Sequence, residues 1–322
     1  MDEVDQSIIR ELQRDGRAPF SHIAQAVGVS EHTVARRYRS LLTLGLRVVA
    51  QPVPQRLGLT RWLLRLHTTP DASVKIADAL ARRPDTSWVS IASGGTELYC
   101  AVNTRSAHER DALLLHKLPH TPRVVSVSAH CLLHTFRGTT DAWYATSPMT
   151  GEDADEGRSQ QTALASSPPP GAPLTLDATD EQLLAHLAKD GRATLPELAQ
   201  ATGRSPASVT RRLDRLRSAD ALRFFVDFAP EHLGFHMLVR LWVRVAPGAL
   251  GTTGAALAAH PEIPFAAATT GPSNLVASGI FRGTYELYQY LDRRIGTLPG
   301  VRSVETAPIL REVKRFTYST TP

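Results

Sequence analysis

The chain has 322 residues, 42% hydrophobic and 21% charged, a balance of ordinary folded proteins that sets aside a disordered polymer. No apolar run approaches the ~18 residues a bilayer-crossing helix needs, and the acidic start Met-Asp-Glu-Val-Asp is unlike a secretory leader, so a soluble cytoplasmic protein with no membrane partner is expected. The net charge is +5, with 32 Arg against 4 Lys. Guanidinium forks suit phosphates and guanine edges, although a GC-rich genome gives the same bias.

The first helix is marked by Ile8, Ile9 and Leu12 on one face, with Asp5 as its expected cap and Gly16 as its end. A second carries Ile23, Ala24 and Val27 and stops at Gly28. Ser30 caps a third, whose inward stripe is Val34, Tyr38 and Leu41. Three short helices with a glycine turn before the last make a helix-turn-helix over residues 1–50. At about 100° per residue, His32, Arg36 and Arg39 point away from Val34, the side that a recognition helix turns toward the major groove. Thr33 and Arg37 lie on the flanks. Arg36 and its neighbours are assigned to base edges and the flanking arginines to phosphates. The competing reading is a cationic face that only keeps a surface helix in solution.

From residue 51 to 146 the pattern changes to strand 61–67, helix 73–83, strand 87–92, a turn at Gly94-Gly95, strand 97–102, helix 107–116 and strand 124–133. The order βαββαβ is that of a ferredoxin-like sandwich. Its usual strand order, 4-1-3-2, puts one strand between those carrying Cys100 and Cys131. Two strand spacings, about 9.6 Å, exceed the reach of a disulfide, so both cysteines read as buried reduced thiols. Neither cysteine has metal-site spacing, and no cofactor or metal is called for.

Residues 147–174 hold Glu152, Asp153, Asp155, Glu156 and then Ser166-Ser167-Pro168-Pro169-Pro170-Gly171, the composition of an extended linker. Beyond it the chain repeats itself. Residues 5–46 and 180–221 share 15 of 42 positions without a gap, including Asp15-Gly16-Arg17-Ala18 with Asp190-Gly191-Arg192-Ala193 and Arg36-Arg37 with Arg211-Arg212. The match runs on through Leu57-Gly58 with Leu233-Gly234 and Ser126-Val127 with Ser303-Val304. A second helix-turn-helix is therefore expected over 175–226 and a second βαββαβ domain over 227–322. The fold class is α+β, two winged-type helix-turn-helix domains each followed by a ferredoxin-like domain.

In the second copy Ser205 caps the third helix and Val209, Leu213 and Leu216 form its inward stripe, leaving Ser208, Arg211, Arg212 and Arg215 for DNA. The copies are unequal. Ala207 stands where the first has His32, and Asp214 stands where the first has Arg39. A carboxylate there repels phosphate, so either the two readers prefer different half-sites or one of them is the weaker.

The Asp-Gly-Arg-Ala turn, the run Ile-Ala-x-x-Val-Gly-Val-Ser, the Val-x-Arg-Arg segment and the βαββαβ order that follows resemble the Lrp/AsnC family of transcription regulators. The resemblance covers nearly all of the chain outside the linker. It implies double-stranded DNA as partner, pairing and homo-oligomerisation through the βαββαβ domains, and a small effector, often an amino acid, bound at their interfaces. It also implies a Gly-x-x-Asp turn between the second and third strands. Here that turn reads Gly94-Gly95-Thr96-Glu97 and Gly271-Pro272-Ser273-Asn274, which makes Gly94, Thr96, Glu97, Gly271, Ser273 and Asn274 the candidate effector residues; a simple hairpin turn is the other reading. Two copies on one chain would supply the family's pair internally, as a pseudo-dimer.

No nucleophile elbow, phosphate-binding glycine loop or zinc motif appears, and the chain is read as a regulator rather than an enzyme. The alternative comes from the same resemblance: some double-unit relatives look like siroheme decarboxylases, for which His130, His134, Arg137, His232, His236 and Arg240 would be the candidates to hold tetrapyrrole carboxylates.

Overall fold

The computed structural model describes residues 1–138, 172–316 and 318–319. The first copy forms α1 (Glu3–Arg14), α2 (Phe20–Val27), α3 (Glu31–Thr43) and β1 (Arg47–Pro52). It continues as β2 (Thr60–Thr68), α4 (Ser73–Ala81), β3 (Thr86–Ala92), β4 (Glu97–Thr104), α5 (Ala107–Asp111) and β5 (Val124–Gly138). The second copy opens with α6 (Ala178–Leu187), α7 (Leu195–Thr202), α8 (Pro206–Ser218) and β6 (Leu222–Asp227). Then come β7 (Met237–Val245), α9 (Leu250–Ala259), β8 (Phe265–Thr269), β9 (Leu275–Phe281), α10 (Thr284–Tyr290), β10 (Val301–Arg315) and a short β11 (Tyr318–Ser319). Among the described residues these elements group by type rather than by copy: 1–57 with 172–233, and 58–138 with 234–316. The linker expected over 147–174 lies outside the described residues as far as 171; beyond that, the Leu174 N–H donates to the Arg56 carbonyl at 2.7 Å.

In the helical unit the helices follow from their buried stripes. Ile8, Leu12, Ile23, Val34 and Leu41 are almost wholly buried, as are Leu183, Leu187, Leu198, Val209 and Leu216. Each such side chain contributes roughly 1.5–3 kcal/mol of burial. The helix starts differ from the sequence expectation by one turn. Asp2 and Asp177 are the N-caps, and Asp5 and Asp180 close capping boxes onto them from the third helical position. Gly28 and Gly203 do end α2 and α7 in the left-handed region.

Gly16 has another role than the helix end expected of it, and Gly191 in the repeat shares that role. Neither has a positive φ, and a Cβ on Gly191 would lie 2.9 Å from the Val48 carbonyl oxygen. They are glycines because the two copies touch there. β1 and β6 pair antiparallel, from Arg47 opposite Asp227 to Pro52 opposite Leu222. β1 packs on α6 and β6 on α1, so each strand completes the other copy's core. Arg17 donates to the carbonyls of Gly191 (2.6 Å) and Ala193 (2.9 Å); Arg192 returns bonds to Gly16 (2.7 Å) and Ala18 (2.9 Å). The repeated Asp-Gly-Arg-Ala turn is thus an interface element. Gly191→Ala should cost about 1–3 kcal/mol by overpacking, read as a lower urea midpoint.

In the sheet unit each half has the order 4-1-3-2: β5-β2-β4-β3 and β10-β7-β9-β8. The last strands run farther than the alternation suggested. β5 pairs with β2 through Cys131 and then with β8 from Leu132 to Gly138; β10 pairs with β7 through Ile309 and then with β3 as far as Lys314. These exchanges close the eight strands β2–β5 and β7–β10 into a ring, which leaves no long unpaired edge. Alternate residues face opposite sides. Leu64, Leu66, Leu98 and Cys100 pack with α4, and Val239, Leu241, Val243 and Ala277 form the matching core of the second half. Leu63, Tyr99, Trp242, Ala267 and Val276 form a separate core on the ring's other face. β2 lies between Cys100 and Cys131, and both are free thiols. Burial pushes Cys100 up to about 12, which keeps it protonated at neutral pH.

Candidate DNA interface and sensor turns

The third helices are built alike. Ser30 caps α3 by accepting from the Thr33 N–H at 3.1 Å, and Ser205 caps α8 by accepting from the Ser208 N–H at 3.3 Å. The Ser30 and Thr33 hydroxyls also bond each other at 2.9 Å. With Val34, Tyr38 and Leu41 turned inward, His32, Arg36 and Arg39 are exposed; with Val209, Leu213 and Leu216 inward, Arg211, Asp214 and Arg215 are exposed. Arg39 folds back, its Nε donating to the Ala35 carbonyl at 3.2 Å.

The paired arginines divide into two kinds. Arg37 reaches Asp2 at 2.5 Å and Asp5 at 3.1 Å; Arg212 reaches Asp177 at 2.8 Å and Asp180 at 2.7 Å. The second member of each Arg-Arg pair therefore ties its third helix to the capping box of the first. Arg215 joins the same cluster through Asp180, whose carboxylate is wholly buried. Arg36 and Arg211 stand outside these clusters and are exposed. The sequence reading missed the clamp, although Asp2/Asp5 and Asp177/Asp180 recur at the same 35- and 32-residue separations from Arg37 and Arg212.

In the sheet unit the turn before β4 is left-handed at Ser93, Gly94 and Gly95. Gly94 and Thr96 are exposed, and the Thr96 hydroxyl donates to the Ser93 carbonyl at 2.7 Å. Glu97 is buried. Arg65 donates to it at 2.7 Å, the Tyr99 hydroxyl at 2.5 Å and the Ser93 hydroxyl at 3.3 Å. Burial pushes its pKa up, but the bonds from Arg65 and Tyr99 outweigh this and leave it below its usual value. Arg65 also holds Glu305 on β10, so Glu97 belongs to a bridge between the halves. In the second turn Asn274 both accepts from the Val245 N–H (2.8 Å) and donates to its carbonyl (2.9 Å). Gly271 has φ +110°, and a Cβ there would come within 2.5 Å of His130 Nδ1. That nitrogen lies 2.8 Å from the Thr270 carbonyl. Ser273 is partly exposed beside them.

Of the tetrapyrrole candidates, Arg137 donates to the carbonyls of Ala258 (2.9 Å) and His260 (3.0 Å) at the end of α9. His130 packs on Trp242, His134 on Phe136, and His232 on Phe228. His236 is exposed. Arg240 donates to Ser278 Oγ at 2.7 Å.

Two exposed recognition helices in one unit, with a paired βαββαβ unit on the same chain, define a tandem helix-turn-helix transcription regulator. The AsnC-type helix-turn-helix domain matches residues 1–42 and 176–217, and the Lrp/AsnC ligand binding domain matches residues 238–318. The chain is 32% identical over 145 residues to the HTH-type transcriptional regulator FL11 of Pyrococcus horikoshii, an alignment covering 45% of this chain and 95% of that one. It is 28% identical over 138 residues to the proline dehydrogenase transcriptional activator of Rhodobacter capsulatus, covering 40% and 88% respectively. This chain belongs to the Lrp/AsnC family of transcription regulators. Its fold resembles the siroheme decarboxylase NirDL with a TM-score of 0.65 at 15% identity, over 99% of this chain and 95% of that one. No described helix is long and apolar enough to cross a membrane.

Proposed function

We propose that this regulator binds a pseudo-palindromic operator in double-stranded DNA, with α3 reading one half-site and α8 the other. Supporting this reading is the pair Arg36 and Arg211, exposed at equivalent positions while their neighbours Arg37 and Arg212 are held in ion pairs. His32 and Thr33 add contacts on the first helix and Ser208 on the second, Arg39 and Arg215 reach DNA only by leaving Ala35 and Asp180, and Ser30 and Ser205 stand at the helix starts near phosphate. Asp214 makes the second reader the weaker one on a phosphate-rich surface. Genomic footprinting, repeated with candidate metabolites, tests the reading: protected sites should carry two unlike half-sites, and a lack of discrete protection overturns it.

A small metabolite such as an amino acid acts at the turns Gly94–Glu97 and Gly271–Asn274. Thr96 and Ser273 are the accessible polar side chains there, while Glu97 and Asn274 hold the turns in shape. Higher assembly runs through the sheet unit. Leu133 on β5 and Leu310 on β10 occupy equivalent places and are 60% and 61% exposed. Leu133→Glu with Leu310→Glu should shift the mass by light scattering toward a single chain.

The protein acts without catalysing a reaction. Incubation with siroheme should leave the absorbance spectrum unchanged and yield no decarboxylated product; a spectral change with product would overturn this.

A further inference from the structure

The ring formed by the eight strands holds a partly open cavity of about 90 Å³, lined by both halves of the sheet unit. A single enclosed water needs roughly 10–15 Å³, so the space holds a ligand of about six to nine heavy atoms. Its walls are mostly apolar: Leu63, Tyr99, Leu132, Phe265 and Ile309 among them. Into these walls the fold places two guanidinium groups, Arg61 from β2 and Arg240 from β7.

Neither has a directly paired counter-ion among the described residues. Among the described residues no ion pair joins either to a carboxylate, and each has a buried Nε without a hydrogen-bond acceptor. Their bonds are to hydroxyls: Arg61 to Ser87 at 3.4 Å, Arg240 to Ser278 at 2.7 Å. Arg240 also stacks over the rings of Tyr99 (5.5 Å) and Phe265 (5.9 Å), which fixes its orientation. The one carboxylate in the lining, Glu312, lies 3.5 Å from Arg315 and its charge also acts on Arg240 without a direct bond, so it offsets the two buried guanidinium groups only in part. Burial lowers both arginines, Arg61 to about 10, with the Arg240 charge as the next cause for Arg61. Two desolvated cations in an apolar chamber are costly unless an anion joins them.

We propose that the ring's interior is a binding site for a small dianionic metabolite, its charged ends received by Arg61 and Arg240. Guanidinium geometry suits carboxylate and phosphate oxygens alike. The site is separate from the turns at Gly94–Glu97 and Gly271–Asn274, none of whose residues line it, and it does not depend on how the protein contacts DNA.

The experiment is calorimetric titration of the full chain with succinate and with inorganic phosphate, alongside thermal melting. Saturable binding of succinate alone assigns a dicarboxylate, of phosphate alone a phosphate compound; either supports the site. Arg61→Met and Arg240→Met should each weaken binding at least about tenfold, as expected when a charged hydrogen bond is lost. Without ligand each variant should melt no lower than the parent, because an uncompensated buried charge has been removed. No saturable binding of either probe to the parent, or equal binding by both variants, overturns the proposal.

Discussion

Replacing Arg36 and Arg211 together by Ala should weaken operator binding about 100-fold or more and leave the melting temperature unchanged. Both side chains are exposed and are absent from the ion-pair clusters that hold α3 and α8, so folding loses little. Each arginine that reaches a guanine edge or phosphate contributes roughly 1–3 kcal/mol, and the two losses fall on different half-sites, where they add. Fluorescence anisotropy at several salt concentrations reads both consequences. If the pair meets phosphate, the slope of log affinity against log salt should become shallower by about two. Unchanged affinity would remove both residues from the interface. Arg37→Ala should behave differently, with a lower melting temperature before any specific effect on DNA, because its guanidinium spans Asp2 and Asp5.

The largest single loss of stability is expected from Asp180→Ala, about 3 kcal/mol. The carboxylate is wholly buried, accepts from Arg212 and Arg215, and closes the capping box by accepting from the Asp177 N–H at 3.1 Å. A lost cap costs about 1 kcal/mol, and the lost buried charged hydrogen bonds supply the rest. Asp5→Ala in the first copy should cost less, since Asp5 closes the same kind of capping box but keeps 14% exposure and bonds one arginine, Arg37, where Asp180 bonds two. Urea unfolding of the two variants gives the comparison, and equal losses would refute the assigned asymmetry. Acid probes the same clusters. Asp2 and Asp177 are held below the usual carboxylate range, first by the N–H groups of Asp5 and Asp180 and then by Arg37 and Arg212. A lowered folded pKa adds stability that is fully present above the unfolded value, about 4, and is lost as pH falls through the folded one. The urea midpoint should therefore fall below about pH 4, and less steeply in Asp177→Asn.

Most of the architecture was legible because it rests on local signals. Val34, Tyr38 and Leu41 turn one face of α3 inward by spacing alone, and Ser30 marks its start. The βαββαβ order was legible from alternation and glycine turns. Long-range exchange was not. Nothing in the period-two pattern of 124–133 says that β5 continues to Gly138 to meet β8, because an edge strand and a shared strand alternate alike. The same limit hid β1 and β6, six residues each, whose paired residues lie 170 to 180 positions apart. The Asp-Gly-Arg-Ala repeat is visible but points only to helix termination, since a glycine after a helix usually signals a left-handed cap. Only the approach of Val48 reveals why no side chain fits there. At the interface, helical angles separated exposed from buried residues. They could not separate Arg36 from Arg37, whose difference is two aspartates more than 30 residues upstream.

The strand exchange between β1 and β6 bears on dosage. Because both members of the pair are stretches of one polypeptide, dilution in a growing cell cannot separate them, and the two helix-turn-helix domains stay together at any copy number. The unlike outer faces of α3 and α8 also give the bound protein a left and a right. On the proposed operator, a promoter would present it in one preferred direction.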